Sequence, residues 1–525
     1  MPIARRAPRW RLPLAGLLCF LLSPAVDRLV VGAQQSTGAT TPLWELVNDV
    51  SAPGIDRGLR DLDPPSPPGR ARAARVELRP GDGASYVGGS LVVRFRPGTT
   101  TVTQRALLAL VEGGSAGSPA YANFEIVTVP AATDVEAAAA RLSAQPDVEY
   151  AQPRYRIEPR FVPNDPLYPQ QWNFPAIDME RAWEINRGAS PAITVAVLDS
   201  GVAYRGGIIR VATRAFTVNG APFPSLGTID VPVAAAPDLG GADRFVAPRN
   251  FIWGNDLPLD FDGHGTHVAG TIGQATDNGV GVAGMAGNVR IMPLKVISSD
   301  WDLIFGSDTV GTDDLVAQGI RYAVDNGAKV LNMSIGRGGP ASPVLRDALQ
   351  YATSRGAFVA VAAGNDFLNG NPTNRPADVA PEIDGVVSVG AVDRNRTRAR
   401  YSNTGSYVEV AAPGGDQVRG GVPAGILQQT YDFDFVDTYL SGPANYRAPR
   451  FDVFTYQYFQ GTSMAAPHVA GFAALLMQQG ITSPAAVEAA MKRYATDLGA
   501  AGRDDEYGYG LINPRAALRG MGLAR

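Results

Sequence analysis

The chain is poor in cysteine, histidine and lysine. Of its 525 residues one is cysteine, Cys19, near the amino terminus. With no second thiol, no disulfide can staple the chain, so its stability rests on a packed core and on any ions it binds. Only Lys295, Lys329 and Lys492 are lysines; almost all basic charge is arginine, and the formal net charge is −4. A slightly acidic chain without a basic stripe gives no electrostatic footprint for nucleic acid. No apolar run reaches the ~20 residues that a membrane-spanning helix needs. The three histidines are His264, His267 and His468. Any hydrolysis that uses a histidine base must draw on one of them.

What is present begins with the order of a secretory leader: basic MPIARRAPRWR, then apolar LPLAGLLCFLL over 12–22. Small residues end at Ala25 and again at Ala33, so the leader is expected to span 1–25, with 33 as the latest cut. An uncleaved anchor is the alternative, and Arg5-Arg6 is a weak match to a twin-arginine signal. Leu18, large, precedes Cys19 and argues against lipid attachment. The expected address is secreted, periplasmic or cell envelope. Residues 34–87 are rich in Pro, Gly, Ala and Arg with no sustained period, and read as a linker. Residues 88–157 then alternate strand and helix patterns. SLVVRFRPG and ANFEIVTVP read as strands, TVTQRALLALVEGG as a helix, TDVEAAAARLSAQ as a helix capped by Thr133, and PDVEYAQPRYRIEP as a third extended piece.

From Asn164 short apolar runs alternate with helical windows: ITVAVLDSG, VRIMPLKVI, DDLVAQGIRYAVDNG, KVLNMSIG, SPVLRDALQYATSRG, AFVAVAAGN and GVVSVGAVD. Continuous apolar strands spaced by helices predict an α/β domain with a mainly parallel sheet covered on both faces. Functional groups in such sheets lie beyond the carboxyl ends of the strands. Asp199, Ser334 and Asn365 stand at those ends.

Two chemistries compete for the histidines. Three histidines could fill a catalytic zinc site, but no cysteine or glutamate completes a familiar ligand set. Alternatively a serine acts as nucleophile, with a histidine base, an orienting carboxylate and oxyanion donors. GTSMAAPHVAGFAALL, 461–476, places Ser463 at the start of an apolar helix. His468 is no partner for it: five helical residues turn about 500°, leaving the two roughly 140° apart around the axis. Pro467 is expected within the first turns, where a missing N–H costs little.

VLDSG at 197–201, GHGTHVAG at 263–270, AAGN at 362–365 and GTSMAAPHVAG at 461–471 resemble, in this order, the four signatures of the subtilisin-like serine proteases, the subtilases. NDPLYPQQWNF and GYGLINPRAAL resemble that family's mature amino- and carboxy-terminal segments, so the likeness runs over about 164–520. The resemblance implies a three-layer subtilisin-like fold over 160–520 with a mainly parallel central sheet. A small α+β (ferredoxin-like) propeptide domain would precede it at 88–157. It implies Asp199 as orienting carboxylate, His264 as base and then acid, and Ser463 as nucleophile. Asn365 and the Ser463 N–H would form the oxyanion hole, and His267 would be structural. Ser334, Ile335 and Gly336, with Ala362, Ala363 and Gly364, would pair with an extended substrate backbone.

The resemblance further implies structural calcium on Asp238, the Asn278 side-chain oxygen and the carbonyls of Thr276, Val280 and Val282, with Asp165 or Gln171 completing the shell. No cofactor for catalysis is expected. The implied product is a secreted serine endopeptidase acting on proteins or peptides. It would be a monomeric, self-processing zymogen inhibited by its own propeptide and cut between Tyr150 and Asn164. The alternatives are a catalytically silent binding module and a narrow-specificity processing protease, for which Asp366 is the one acidic residue at hand. Two insertions, 202–237 and 415–460, depart from the family pattern and are expected to rim the cleft, the second as an aromatic pocket or a packed flap.

Overall fold

A computed structural model describes residues 44–48, 86–155, 160–440 and 442–520. The leader, Cys19 and both leader cleavage points lie outside the described residues. Two compact units emerge, one within 70–160 and one joining the first segment to the residues from Phe161 onward. Strand β1 (Trp44–Asn48) falls inside the stretch read as a linker and belongs to the second unit.

The smaller unit runs β2 (Tyr86–Phe95), helix Thr101–Ala109, β3 (Gly114–Gly117), β4 (Glu125–Thr128), helix Val135–Ser143 and β5 (Val148–Tyr155). Its antiparallel sheet has the order β3-β4-β2-β5, the ferredoxin-like βαββαβ arrangement. Leu91, Val93, Val127 and Leu142 are its fully buried centre. The second helix is capped by Asp134, whose Oδ1 accepts from the N–H groups of Glu136 and Ala137, and not by Thr133. A carboxylate there satisfies two orphan donors and meets the positive helix end.

The larger unit contributes β6 (Thr194–Asp199), β7 (Gly207–Ala212), β8 (Phe216–Val218), β9 (Ala221–Phe223), β10 (Thr228–Val233), β11 (Arg249–Asn250) and β12 (Arg290–Lys295). There follow β13 (Val330–Met333), β14 (Phe358–Ala362), β15 (Val386–Val392), β16 (Val410–Pro413), β17 (Ile426–Tyr431) and β18 (Phe454–Phe459). Seven of these form one parallel sheet, β11-β12-β6-β13-β14-β15-β16. Side chains alternate between two cores. Val195 and Val197 face one with the helices His264–Gly273 and Thr462–Gln478; Ala196 and Leu198 face the other with the helices Asp313–Asp325 and Pro343–Ser354. This is the three-layer α/β sandwich that near-continuous apolar strands require. The chain turns from β12 on one side of β6 to β13 on the other, so the crevice beyond Asp199 is the place for a site.

Candidate active site

Asp199 is the last residue of β6 and is fully buried. Its Oδ1 accepts from His264 Nδ1 at 2.7 Å and from the Ser200 N–H at 2.8 Å. That bond fixes the proton of a neutral His264 on Nδ1 and leaves Nε2 as the basic atom, with no partner among the described residues. His264 opens its helix, and Gly265 lets the helix close onto β6. A Cβ at 265 would lie 2.0 Å from the Gly201 carbonyl and 3.1 Å from the Asp199 Cβ. Burial opposes protonation of His264, but the charge and hydrogen bond of Asp199, then Asp262 and Asp260, outweigh it and raise its pKa to about 9.

Ser463 is the second residue of its helix, which packs against the His264 helix. Its hydroxyl donates to the Ser334 carbonyl at 3.1 Å, so that hydrogen must be redirected to engage His264. Its N–H lies in the first turn, where helical donors lack intrahelical partners. Asn365, just past β14, has its side-chain oxygen fixed by two donors, the Thr462 N–H and hydroxyl, each at 2.9 Å. Oriented so, its amide NH2 is left to donate beside Ser463. The Ser463 N–H in a helix first turn and the Asn365 amide, held against neighbouring Thr462, are the kinds of donor that stabilising an oxyanion requires.

Pro467 is the sixth residue of the helix, within its first turns as expected but past the four positions whose N–H groups have no intrahelical partner, so the missing N–H is not free of cost. Lacking an N–H, it leaves the Ser463 carbonyl without its intrahelical donor. Ser334 Oγ fills the gap, donating to that carbonyl at 2.7 Å and accepting from Asn332 Nδ2 at 2.9 Å.

The other histidines are structural. His267 is fully buried, stacks on Phe459 at 4.3 Å, and has Nε2 against the carbonyls of Ile426 and Gln457. Burial lowers its pKa to about 3. His468 bonds through Nδ1 to the Met464 carbonyl and through Nε2 to Asn173, and burial lowers it to about 4. The three rings do not share a metal.

The two candidate substrate segments differ. Ile335 and Gly336 have no backbone hydrogen-bond partners among the described residues and remain open for pairing. Ala362 to Gly364 do not: the Ala362 carbonyl accepts from Asn374, the Ala363 N–H bonds to Val389 and its carbonyl to Tyr407, and Gly364 is held by Thr462 and Asn403. That segment is a wall, with its polar groups spent inside the fold.

Two supports were not read from the sequence. Lys295, fully buried and in register with Asp199, donates from Nζ to the carbonyls of Ser200 (2.7 Å) and Leu259 (3.1 Å) and pairs with buried Asp302 at 2.8 Å. A lone lysine inside the apolar run VRIMPLKVI was the available signal. Asp260 accepts from the Ser200 hydroxyl, the Thr266 N–H and hydroxyl, and the N–H groups of Asp262 and Gly263, tying the Asp199 loop to the His264 turn. Strand β17 of the second insertion is buried and stiffens the same turn. Thr430 Oγ1 donates to the Gly263 carbonyl at 2.8 Å and the Tyr431 hydroxyl to the Asp260 carbonyl at 2.9 Å.

At the calcium candidate, Asp238 Oδ1 accepts from Asn278 Nδ2, and Oδ2 accepts from the Val282 N–H and, at 3.4 Å, from the Tyr456 hydroxyl. Asn278 thus turns its nitrogen to the carboxylate, and its oxygen, expected as a ligand, accepts from the Val280 N–H. Asp165 accepts from the N–H groups of Asp277 and Asn278; Gln171 is committed to Ala283 and Leu427. Asp238 and Asp165 are both buried, with no ion pair among the described residues. Burial pushes Asp238 up to about 6, with the Asp165 charge adding to the rise, and burial also raises Asp165, with the Asp277 charge adding to it. Two buried carboxylates without a countercharge, amid carbonyl oxygens, fit a hard cation.

The chain is similar to known proteins. Residues 190–510 match the model of the subtilase family, peptidase S8, and residues 72–154 match the fervidolysin N-terminal prodomain. The chain is 31% identical over 440 residues to a thermophilic serine proteinase of Bacillus sp. (strain AK1), covering 83% of this chain and 88% of that one. Over 298 residues it is 38% identical to subtilisin DY of Bacillus licheniformis, covering 56% and 90%. Among solved structures, fervidolysin of Fervidobacterium pennivorans, a keratinolytic enzyme related to subtilisin, superposes with a TM-score of 0.51 at 26% identity, over 85% of this chain and 62% of that one. The chain belongs to the subtilase family and is a serine-type endopeptidase with a prodomain.

Proposed function

We propose that the chain is exported, cuts itself free of its prodomain, and hydrolyses peptide bonds through Asp199, His264 and Ser463. The observation that carries this reading is the 2.7 Å bond from His264 Nδ1 to buried Asp199, beside the helix whose second residue is Ser463. His264 Nε2 takes the proton of the Ser463 hydroxyl as its oxygen attacks the substrate carbonyl carbon. The negative charge formed on the carbonyl oxygen is met by the Ser463 N–H and Asn365 Nδ2. His264 then gives its proton to the leaving amine, and water repeats the sequence on the acyl-enzyme. Asp199 keeps the ring oriented and offsets its charge. The open backbone of Ile335 and Gly336 pairs with the extended substrate.

Calcium would be held by the carboxylates of Asp238 and Asp165 and the carbonyls of Thr276, Val280 and Val282, with Asn278 turning its amide to offer oxygen. There it would neutralise buried charge and tie the amino-terminal segment to the loop; it takes no part in the chemistry.

A narrower specificity, for substrates with a basic residue near the scissile bond, draws support from Asp262, Asp300 and Asp437. Burial raises Asp262 to about 6 and Asp437 to about 7, and the charge of Asp262 and of exposed Asp300 adds to the rise at Asp437. Carboxylates so placed gain from a cationic neighbour. The reading is tested with a fluorophosphonate, a serine-directed reagent: cleavage of casein must stop when it is added, and a Ser463→Ala chain must neither cleave casein nor react.

A further inference from the structure

The first insertion builds a three-stranded antiparallel sheet whose outer strand is not its own. The order is β1-β7-β10, and β1 comes from residues that precede the prodomain in the chain. The register is chemically specific. Trp44 stands opposite Val211 and Leu46 opposite Ile209, and both of those insertion residues are buried. Glu45 stands opposite Arg210, which is exposed and on its other side pairs with Asp230 at 2.8 Å. Directly opposed positions of antiparallel strands are neighbours, and this register sets two apolar residue types opposite buried positions and an acidic one opposite an arginine. A shift by one residue would invert both matches. Without β1, strand β7 would present a row of unpaired N–H and C=O groups, an edge that folded proteins normally cover.

We propose that β7 is a docking edge for residues 44–48, and that through it the pro-region grips the catalytic unit at a second place, apart from the prodomain. The regulatory half rests on the self-processing reading above. Residues 44–48 lie beyond both expected leader cuts, Ala25 and Ala33, so they stay on the pro-region after export. A cut between prodomain and catalytic domain severs the covalent link to β1 but leaves its ladder intact. Each of two linked contacts then holds the other at high effective concentration, and the pro-region leaves more slowly than the prodomain alone would.

The test uses the full chain with Cys19→Ser. In a Ser463→Ala background, which prevents cutting, cysteines are placed at Glu45→Cys and Arg210→Cys. Directly opposed Cα atoms lie about 4.5–5.5 Å apart, within reach of a disulfide. The control pair is Glu45→Cys with Asp230→Cys, one strand further, at about 9–10 Å and out of reach. Oxidised glutathione must close the first pair and spare the second; no closure, or equal closure of both, overturns the docking. In the active chain Glu45→Pro removes a backbone donor from the ladder, because Arg210, opposite it, turns its N–H and C=O toward β1 while its neighbours on β7 turn theirs toward β10. It must shorten the lag before full casein activity by about threefold or more; an unchanged lag overturns the second grip. Closure of the disulfide, together with no casein cleavage by the chain that keeps Ser463, strikes the protease reading and leaves the docking standing.

Discussion

The bond from Ser334 to the Ser463 helix makes a quantitative prediction. Pro467 cannot donate to the Ser463 carbonyl, and Ser334 Oγ does so at 2.7 Å while accepting from buried Asn332. Ser334→Ala removes both bonds. It leaves a part-buried carbonyl and a buried amide unsatisfied, at about 1–3 kcal/mol for each such group, so a total loss of about 2–6 kcal/mol is expected. The repair is also predictable. Pro467→Ala restores an N–H four residues along from Ser463, and the helix can then supply the missing bond itself. In the Pro467→Ala background Ser334→Ala should cost less than in the native one, by about 1 kcal/mol or more. All four chains are made with Ser463→Ala, which keeps the carbonyl and silences proteolysis, and are compared by urea denaturation. Equal cost in the two backgrounds would refute the idea that Ser334 stands in for the donor that proline lacks.

Two further outcomes follow from the electrostatics. His264 is raised from 6.5 to about 9, and only its neutral form can accept the serine proton, so kcat/KM should climb from pH 7 into the alkaline range and level above the His264 pKa. Asp262→Asn keeps the oxygen that accepts the His264 N–H but removes a negative charge, so the midpoint of that climb should move to lower pH; no movement would count against the assigned cause. At the loop of Asp238 and Asp165, EDTA should lower the melting temperature. A cation at 100 times its Kd contributes about 2.7 kcal/mol, and an unchanged midpoint would remove calcium from the account.

The parts legible in the sequence are those carried by short contiguous patterns. Apolar runs such as VAVLD and FVAVA gave the parallel strands because both faces of the sheet are buried. Asp199, His264, Asn365 and Ser463 each sit in a motif of a few residues. The rest depends on residues far apart in the chain. WELVN has too few residues and too much Pro, Gly and Arg around it to announce a strand, and its alternation acquires meaning only opposite GIIRVA. Gly114–Gly117 pairs as a strand without any β-forming side chain, because β4 supplies the partner. Pro467 could be placed in a helix, but not its position counted from the true first residue, so the role of Ser334 was hidden. The aromatic second insertion reads equally well as a flap or a core; its strand β17 is buried throughout, behind the His264 turn.

The central claim is that Ser463 is the nucleophile activated by His264 and Asp199. It is tested most directly by locating the fluorophosphonate adduct by mass spectrometry in the native chain and in a His264→Ala chain. The account predicts one adduct per native chain, on the peptide that holds Ser463, and almost none when His264 is absent. An adduct on another serine, or casein cleavage that persists with Ser463 fully modified, would contradict it.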